Sequence, residues 1–171
     1  RERGIRSEVC NLDTDDMPFG DRAFDLVLFD SVLEHLYTPR RGIREATRVL
    51  VPGGTIVVGT PNATALVQRL KTLAGMNPFS RFNRFNAIEG GVFMRECAVF
   101  YTVDEVIEAF GPTMKLHSAH WTDLFDPNRP DRPAWRNWVT PLRLAACRVH
   151  PPFSDFFYLS LNKEMLPTAE R

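Results

Sequence analysis

Residues 24–62 read FDLVLFDSVLEHLYTPRRGIREATRVLVPGGTIVVGTPN. Two apolar runs, Leu26-Val27-Leu28-Phe29 and Thr55-Ile56-Val57-Val58, each lead directly into polar residues. Between them Ile43, Ala46, Val49 and Leu50 recur at helical spacing, with Arg40, Arg44, Glu45 and Arg48 mostly on other faces. Two short, continuously apolar strands around a helix describe a βαβ unit whose strands are buried on both faces. Such a crossover is right-handed in nearly all proteins, and open parallel sheets bind ligands outside the carboxyl ends of their strands. Those ends are Asp30-Ser31-Val32 and Thr60-Pro61-Asn62.

The rest of the chain is consistent with one α/β domain. It has 171 residues, 44% hydrophobic and 25% charged, enough for a real core. Lys plus Arg and Asp plus Glu both number 21, so no global field favours a nucleic-acid partner. Cys10, Cys97 and Cys147 are odd in number, far apart and outside any CxxC spacing. They frame neither disulfides nor a zinc site, which favours a reducing compartment and a cytoplasmic location. No apolar run reaches the roughly 20 residues that a membrane helix needs. The chain opens on Arg1 in what reads as a helix tail ending at Gly4, so it reads as a piece of something longer.

Before the central stretch, Ile5 to Leu12 alternates loosely and reads as a strand, followed by the acidic turn Asp13-Thr14-Asp15-Asp16. Ser31 is placed to cap a short helix through Leu36, and Thr38-Pro39 to open the long one. Pro52-Gly53-Gly54 then turns the chain into a strand over 55–60. Residues 62–74 read as a helix with Leu66, Leu70 and Leu73 on one face, leading into a segment where Phe recurs among basic and amide residues. Residues 92–101 read as extended. Thr102 and Glu105 have the spacing of a capping box, and that helix stops at Gly111-Pro112. Strands are expected over 114–122 and 155–163, with a Pro-rich loop and an interrupted helix over 135–150 between them, and a frayed tail over 165–171.

The succession Asp13, Met17-Pro18-Phe19, Phe24-Asp25-Leu26-Val27, Val32-Leu33-Glu34-His35-Leu36, Arg48-Val49-Leu50-Val51-Pro52-Gly53-Gly54 and Thr60-Pro61-Asn62 resembles the class I S-adenosylmethionine-dependent methyltransferases. Within them it is similar to the group that methylates small molecules, lipids and glycan precursors. The later YTVDEVIEAFG (101–111) resembles that group's helix before its sixth strand. The resemblance implies a Rossmann-like sheet in which 7–12, 24–30, 54–60, 114–122 and an antiparallel 155–163 are the third to seventh strands. It also implies an N-terminal truncation, because no glycine loop with a GxG core occurs. The run from Gly54 to Pro61 is no phosphate loop, since a buried strand fills its middle. Residues 1–164 would form the partial domain, with 62–101 as a lid or substrate-side insertion.

As site residues the resemblance implies Asp13 and Thr14 on the adenine side of S-adenosylmethionine, and Asp30, Ser31 and Val32 at its amino-acid end. His35 is the candidate for taking a proton from the acceptor, against a packing role, since methyl transfer from a sulfonium needs positioning before it needs a base. Glu34 is expected to face solvent or pair with an arginine. His117 and His120, three apart on a strand, are on opposite faces and share no metal; none is expected. The face 66–85 suits a lid over an apolar or anionic substrate, or peripheral membrane contact, as well as simple packing. With the glycine-loop half missing, weak or no cofactor binding is expected, and the strand 24–29 should be a bare edge. The rival reading is a non-catalytic, methyltransferase-like interaction module presenting Trp121, Trp135 and Trp138.

Overall fold

The computed structural model describes residues 7–78, 85–88, 92–95, 99–122, 142 and 145–165. The central unit forms as expected. Strand β1 (Phe24–Asp30) is joined by helix α1 (Pro39–Val49) to strand β2 (Leu50–Pro61), and β1 and β2 are parallel. The second strand starts earlier than the Pro-Gly-Gly signal suggests: Leu50 is already extended and pairs with Phe24. Pro52 and Gly53 lie inside the strand, where the register shifts between Phe24 and Leu26 and Gly53 takes a φ of 80°. A Pro and a positive-φ Gly are tolerated there because a bulge needs neither the ladder donor nor a Cβ.

Helix α2 (Leu66–Leu73) and a two-stranded hairpin, β3 (Phe85–Ile88) with β4 (Val92–Arg95), follow. The hairpin is a departure from the single extended segment expected at 92–101. Helix α3 (Val103–Phe110) begins with the expected capping box, Thr102 accepting from the Glu105 N–H while Glu105 accepts from the Thr102 N–H. Strand β5 (Met114–Thr122) and strand β6 (Phe156–Lys163) complete the main sheet, whose order is β1-β2-β6-β5. β6 runs antiparallel to both neighbours. One face of this sheet carries the core, in which Phe29, Ile56, Val58, Phe157, Leu159 and Leu161 pack with Leu33, Ile43, Ala46, Val106 and Phe110. Helices α1 and α3 and the 3₁₀ turn Leu33–His35 supply the second layer.

Several expectations fail. Residues 7–12 form no strand; Val9 is fully exposed and only Leu12 reaches the core's margin. Ser31 caps nothing: it has a φ of 55°, and the 3₁₀ turn has Val32 at its N-cap position. Thr38 stands at the N-cap of α1 without making the cap bond, because its hydroxyl donates to Asp13 instead. On α2 the leucine face does not pack as a buried stripe: Leu66 is half-buried, Leu70 and Leu73 are exposed, and Gln68 is buried. Much of the Phe-rich segment, Trp135, Trp138 and most of 135–150 lie outside the described residues; 145–149 are helical. Among the described residues β1 pairs with β2 alone.

Candidate active site

The carboxyl ends of β1 and β2 lie side by side, since Asp30 pairs with Gly59. Beyond Asp30 the chain reverses through Ser31, whose left-handed backbone is uncommon for a residue with a Cβ. The Ser31 N–H donates to the Gly59 carbonyl at 2.9 Å, which holds this turn against the neighbouring strand. Asp30 and Ser31 are exposed there, and Val32 is half-buried at the core's edge. The structure therefore brings Asp30, Ser31 and Val32 together at the point where an open α/β sheet receives its ligand.

Asp13 and Thr14 come from the acidic turn. The Asp13 carboxylate accepts from the Thr38 N–H at 2.6 Å and the Thr38 hydroxyl at 2.8 Å. Those bonds, the backbone one first, hold its carboxyl below the usual range. Thr14 is exposed and donates to Asp15. Arg48 fixes the segment that follows: its guanidinium donates to Asp21, Glu45 and the carbonyls of Met17 and Phe19. Arg41 adds a 2.7 Å ion pair to Asp16. The conspicuous Arg48 of the RVL segment is thus an anchor for the 13–21 loop.

His35 is exposed in the 3₁₀ turn, but its neighbour Glu34 is not. Only 2% of Glu34 meets solvent, and it accepts from the Thr60 hydroxyl at 3.2 Å, which corrects the expectation of a solvent-facing or Arg-paired residue. The left-handed Ser31 and the tight 3₁₀ turn rotate Glu34 inward beneath the chain at 99–101, where its carbonyl accepts from the Val99 N–H. Burial, above all, raises its carboxyl above the ordinary value. Asn62 is also buried and is fully satisfied by protein: its Nδ2 donates to the carbonyls of Pro152 and Ser154, and its Oδ1 accepts from Thr64. It ties the strand end to the loop before β6.

One participant went unnoticed in the sequence. Tyr158 is directly opposite Gly59 on β6, and its ring and the Asp30 carboxylate both lie over that glycine. A Cβ at position 59 would lie 2.7 Å from Asp30 Oδ1 and clash with the Tyr158 ring, so only Gly lets the two side chains meet over the strand between them. No sequence signal pairs residues 128 positions apart.

A groove of about 730 Å³ runs between α1 and α3, lined by Arg40, Arg44, Glu105, Glu108 and Lys163 among others. It does not include the strand-end residues. Its Lys163 amine is committed to the carbonyls of Thr47 and Leu50, where it closes the C-terminus of α1. Among the described residues no cluster of His, Cys, Asp or Glu could hold a metal ion, and no helix is long and apolar enough to cross a membrane.

With this sheet order and antiparallel β6, the fold is the Rossmann-like one of the class I methyltransferases. Two solved structures of S-adenosylmethionine-dependent methyltransferases share it: one from Thermotoga maritima (TM-score 0.58, 14% identity, covering 95% of this chain and 66% of that one) and one from Methanosarcina mazei (TM-score 0.57, 15% identity, covering 93% and 67%). The sequence model of the methyltransferase-domain family matches residues 1–58. A probable S-adenosylmethionine-dependent methyltransferase of Mycobacterium tuberculosis is 39% identical over 165 residues, covering 91% of this chain and 55% of the relative. A demethylmenaquinone methyltransferase of Clavibacter sepedonicus is 43% identical over 53 residues, 31% of this chain and 22% of that protein. The chain thus spans about half the length of the mycobacterial relative. The cofactor that these similarities imply is S-adenosylmethionine. The residues present suit it: Asp30 is an exposed carboxylate at a strand end with no cationic partner among the described residues, as an ammonium group requires.

Proposed function

We propose that the protein carries out S-adenosylmethionine-dependent methyl transfer to a small-molecule, lipid or glycan acceptor. The observation that carries this reading is the meeting of Asp30, Ser31 and Gly59 at the adjacent carboxyl ends of two parallel strands in a methyltransferase-type sheet. Asp30 holds the ammonium group of the cofactor, and the exposed turn at Ser31 and Val32 receives its amino-acid end. Asp13, oriented by Thr38, and the backbone at Thr14 face the adenine. When bound, the cofactor supplies an electrophilic methyl group. The chain's task is then to orient the acceptor in line and keep water away. His35, exposed beside this turn, stands within the same region as a proton acceptor.

The test is calorimetric titration with S-adenosylhomocysteine, using the full length that the gene encodes. Saturable binding that weakens at least about tenfold in Asp30→Asn supports the reading, the loss of one charge-assisted hydrogen bond being of that order. Absence of binding by the wild type rejects it in favour of a non-catalytic interaction module.

A further inference from the structure

In the turn after β1, Leu33, Glu34 and Leu36 are buried while Ser31 and His35 are exposed. A leucine at position 34 would bury apolar surface without desolvating a carboxyl, so a glutamate is favoured there only by the bond it makes. Its side chain accepts from the hydroxyl of Thr60, which is fully buried at the end of β2, at 3.2 Å. Its backbone carbonyl accepts from the Val99 N–H at 3.1 Å. The segment that begins at Val99 is fastened to the same strand end, since Tyr101 bridges to Asn62 and its carbonyl accepts from the Ala63 N–H at 2.9 Å. Glu34 thus joins the turn, the end of β2 and residues 99–101 at one buried point.

We infer that Glu34 and Thr60 are positioning residues for the cofactor's amino-acid end: their buried bond holds the Ser31–Val32 turn ready to receive it. This rests on the methyltransferase reading. Ser31 has a left-handed backbone at a φ of 55°, a state that a residue with a Cβ keeps only where neighbouring bonds over-determine it. Two bonds to β2 do so here. The Ser31 N–H, donating to the Gly59 carbonyl, fixes the start of the turn, and the Thr60 hydroxyl, donating to Glu34, fixes its rotation three residues on. Without the second bond the turn samples other conformations. The cofactor's apparent affinity then falls in proportion to the fraction of molecules that keep the receptive one. With Glu34 turned inward, His35 beside it faces outward and keeps its place as the proposed proton acceptor. The bond from Val99 extends the device to the far end of the 62–101 segment, so a bound cofactor tightens residues 99–101 as well.

The test compares S-adenosylhomocysteine binding by calorimetry in full-length variants whose fold is checked by circular dichroism. Thr60→Val keeps the shape of the side chain and removes the hydroxyl, and should weaken binding about threefold to tenfold. Thr60→Ser returns the hydroxyl and should recover wild-type affinity to within about twofold, although it gives up a buried methyl and some stability. Glu34→Leu should weaken binding as much as Thr60→Val, and the double variant no further, because the two side chains share one bond. A purely structural role would lower the thermal stability of Thr60→Val and leave the affinity of the folded protein unchanged. Wild-type affinity in Thr60→Val, no recovery in Thr60→Ser, or additive losses in the double variant would each overturn the inference and leave the methyltransferase reading intact. If Thr60→Val does not fold, amide exchange of the wild type decides. With S-adenosylhomocysteine at about a hundred times its Kd, exchange of the Val99 N–H should slow at least about tenfold, and an unchanged rate would overturn the inference. Failure of the wild type to bind the compound at all would overturn the methyltransferase reading too.

Discussion

Glu34 and Asn62 are neighbours of the strand ends whose roles depend on burial. Burial raises the Glu34 carboxyl above its ordinary value of 4.5, so the folded chain holds this proton more tightly than the unfolded chain. Its contribution to stability is fully present below that ordinary value and is lost as pH rises through the raised one. Asp13, Asp15 and Glu45 are held low and act with the opposite sign, so only a difference against wild type isolates Glu34. Relative to wild type, Glu34→Gln should therefore gain stability as pH rises above the ordinary value of 4.5, read from urea midpoints; a difference constant with pH would show that the buried carboxyl does not titrate as argued. Asn62→Ala removes the donors to Pro152 and Ser154 and should cost about 2–3 kcal/mol in the same measurement. Neither role was legible locally. Nothing in VLEHL says which side chain turns inward, since a left-handed Ser31 decides it, and the partners of Asn62 are some ninety residues away.

The elements divide by how local their causes are. Helix α3 is specified by a capping box that three residues' spacing reveals, and Thr102→Ala should cost about 1 kcal/mol on chemical denaturation. Helix α1 takes its Pro39 start from sequence, but its end is closed by Lys163 from a strand more than a hundred residues later. Helix α2 has a leucine stripe that sequence reads as a buried face, yet Leu73 is 84% exposed. Strand β1 shows the same effect on the sheet: its run of apolar residues suits burial on both faces, whereas among the described residues Leu26 and Leu28 are exposed.

At the scale of the molecule, Arg48 joins the helical layer to the loop that carries Asp13. Its guanidinium meets two carboxylates and two carbonyls at once, a fork that an ammonium cannot reproduce. Arg48→Lys should therefore resemble Arg48→Ala: faster amide exchange across residues 13–21, with little change in β5 and β6. Protection retained in that loop would mean that the Asp13–Thr38 bonds alone hold it. The two residues proposed to meet the cofactor arrive on different elements, Asp13 from a loop bound to Thr38 at the start of α1 and Asp30 from the end of β1.

The sequence by itself determined the βαβ unit, the capped helix α3, the two late strands and the place where a ligand site would form, because each follows from short-range periodicity and from residues adjacent along the chain. The tertiary structure alone decided which side chains occupy that place. Long-range pairing set Tyr158 across Gly59 from Asp30, and the reversal at Ser31 buried Glu34. Those contacts depend on strand register and on one left-handed residue, and neither quantity is written in any local pattern of the chain.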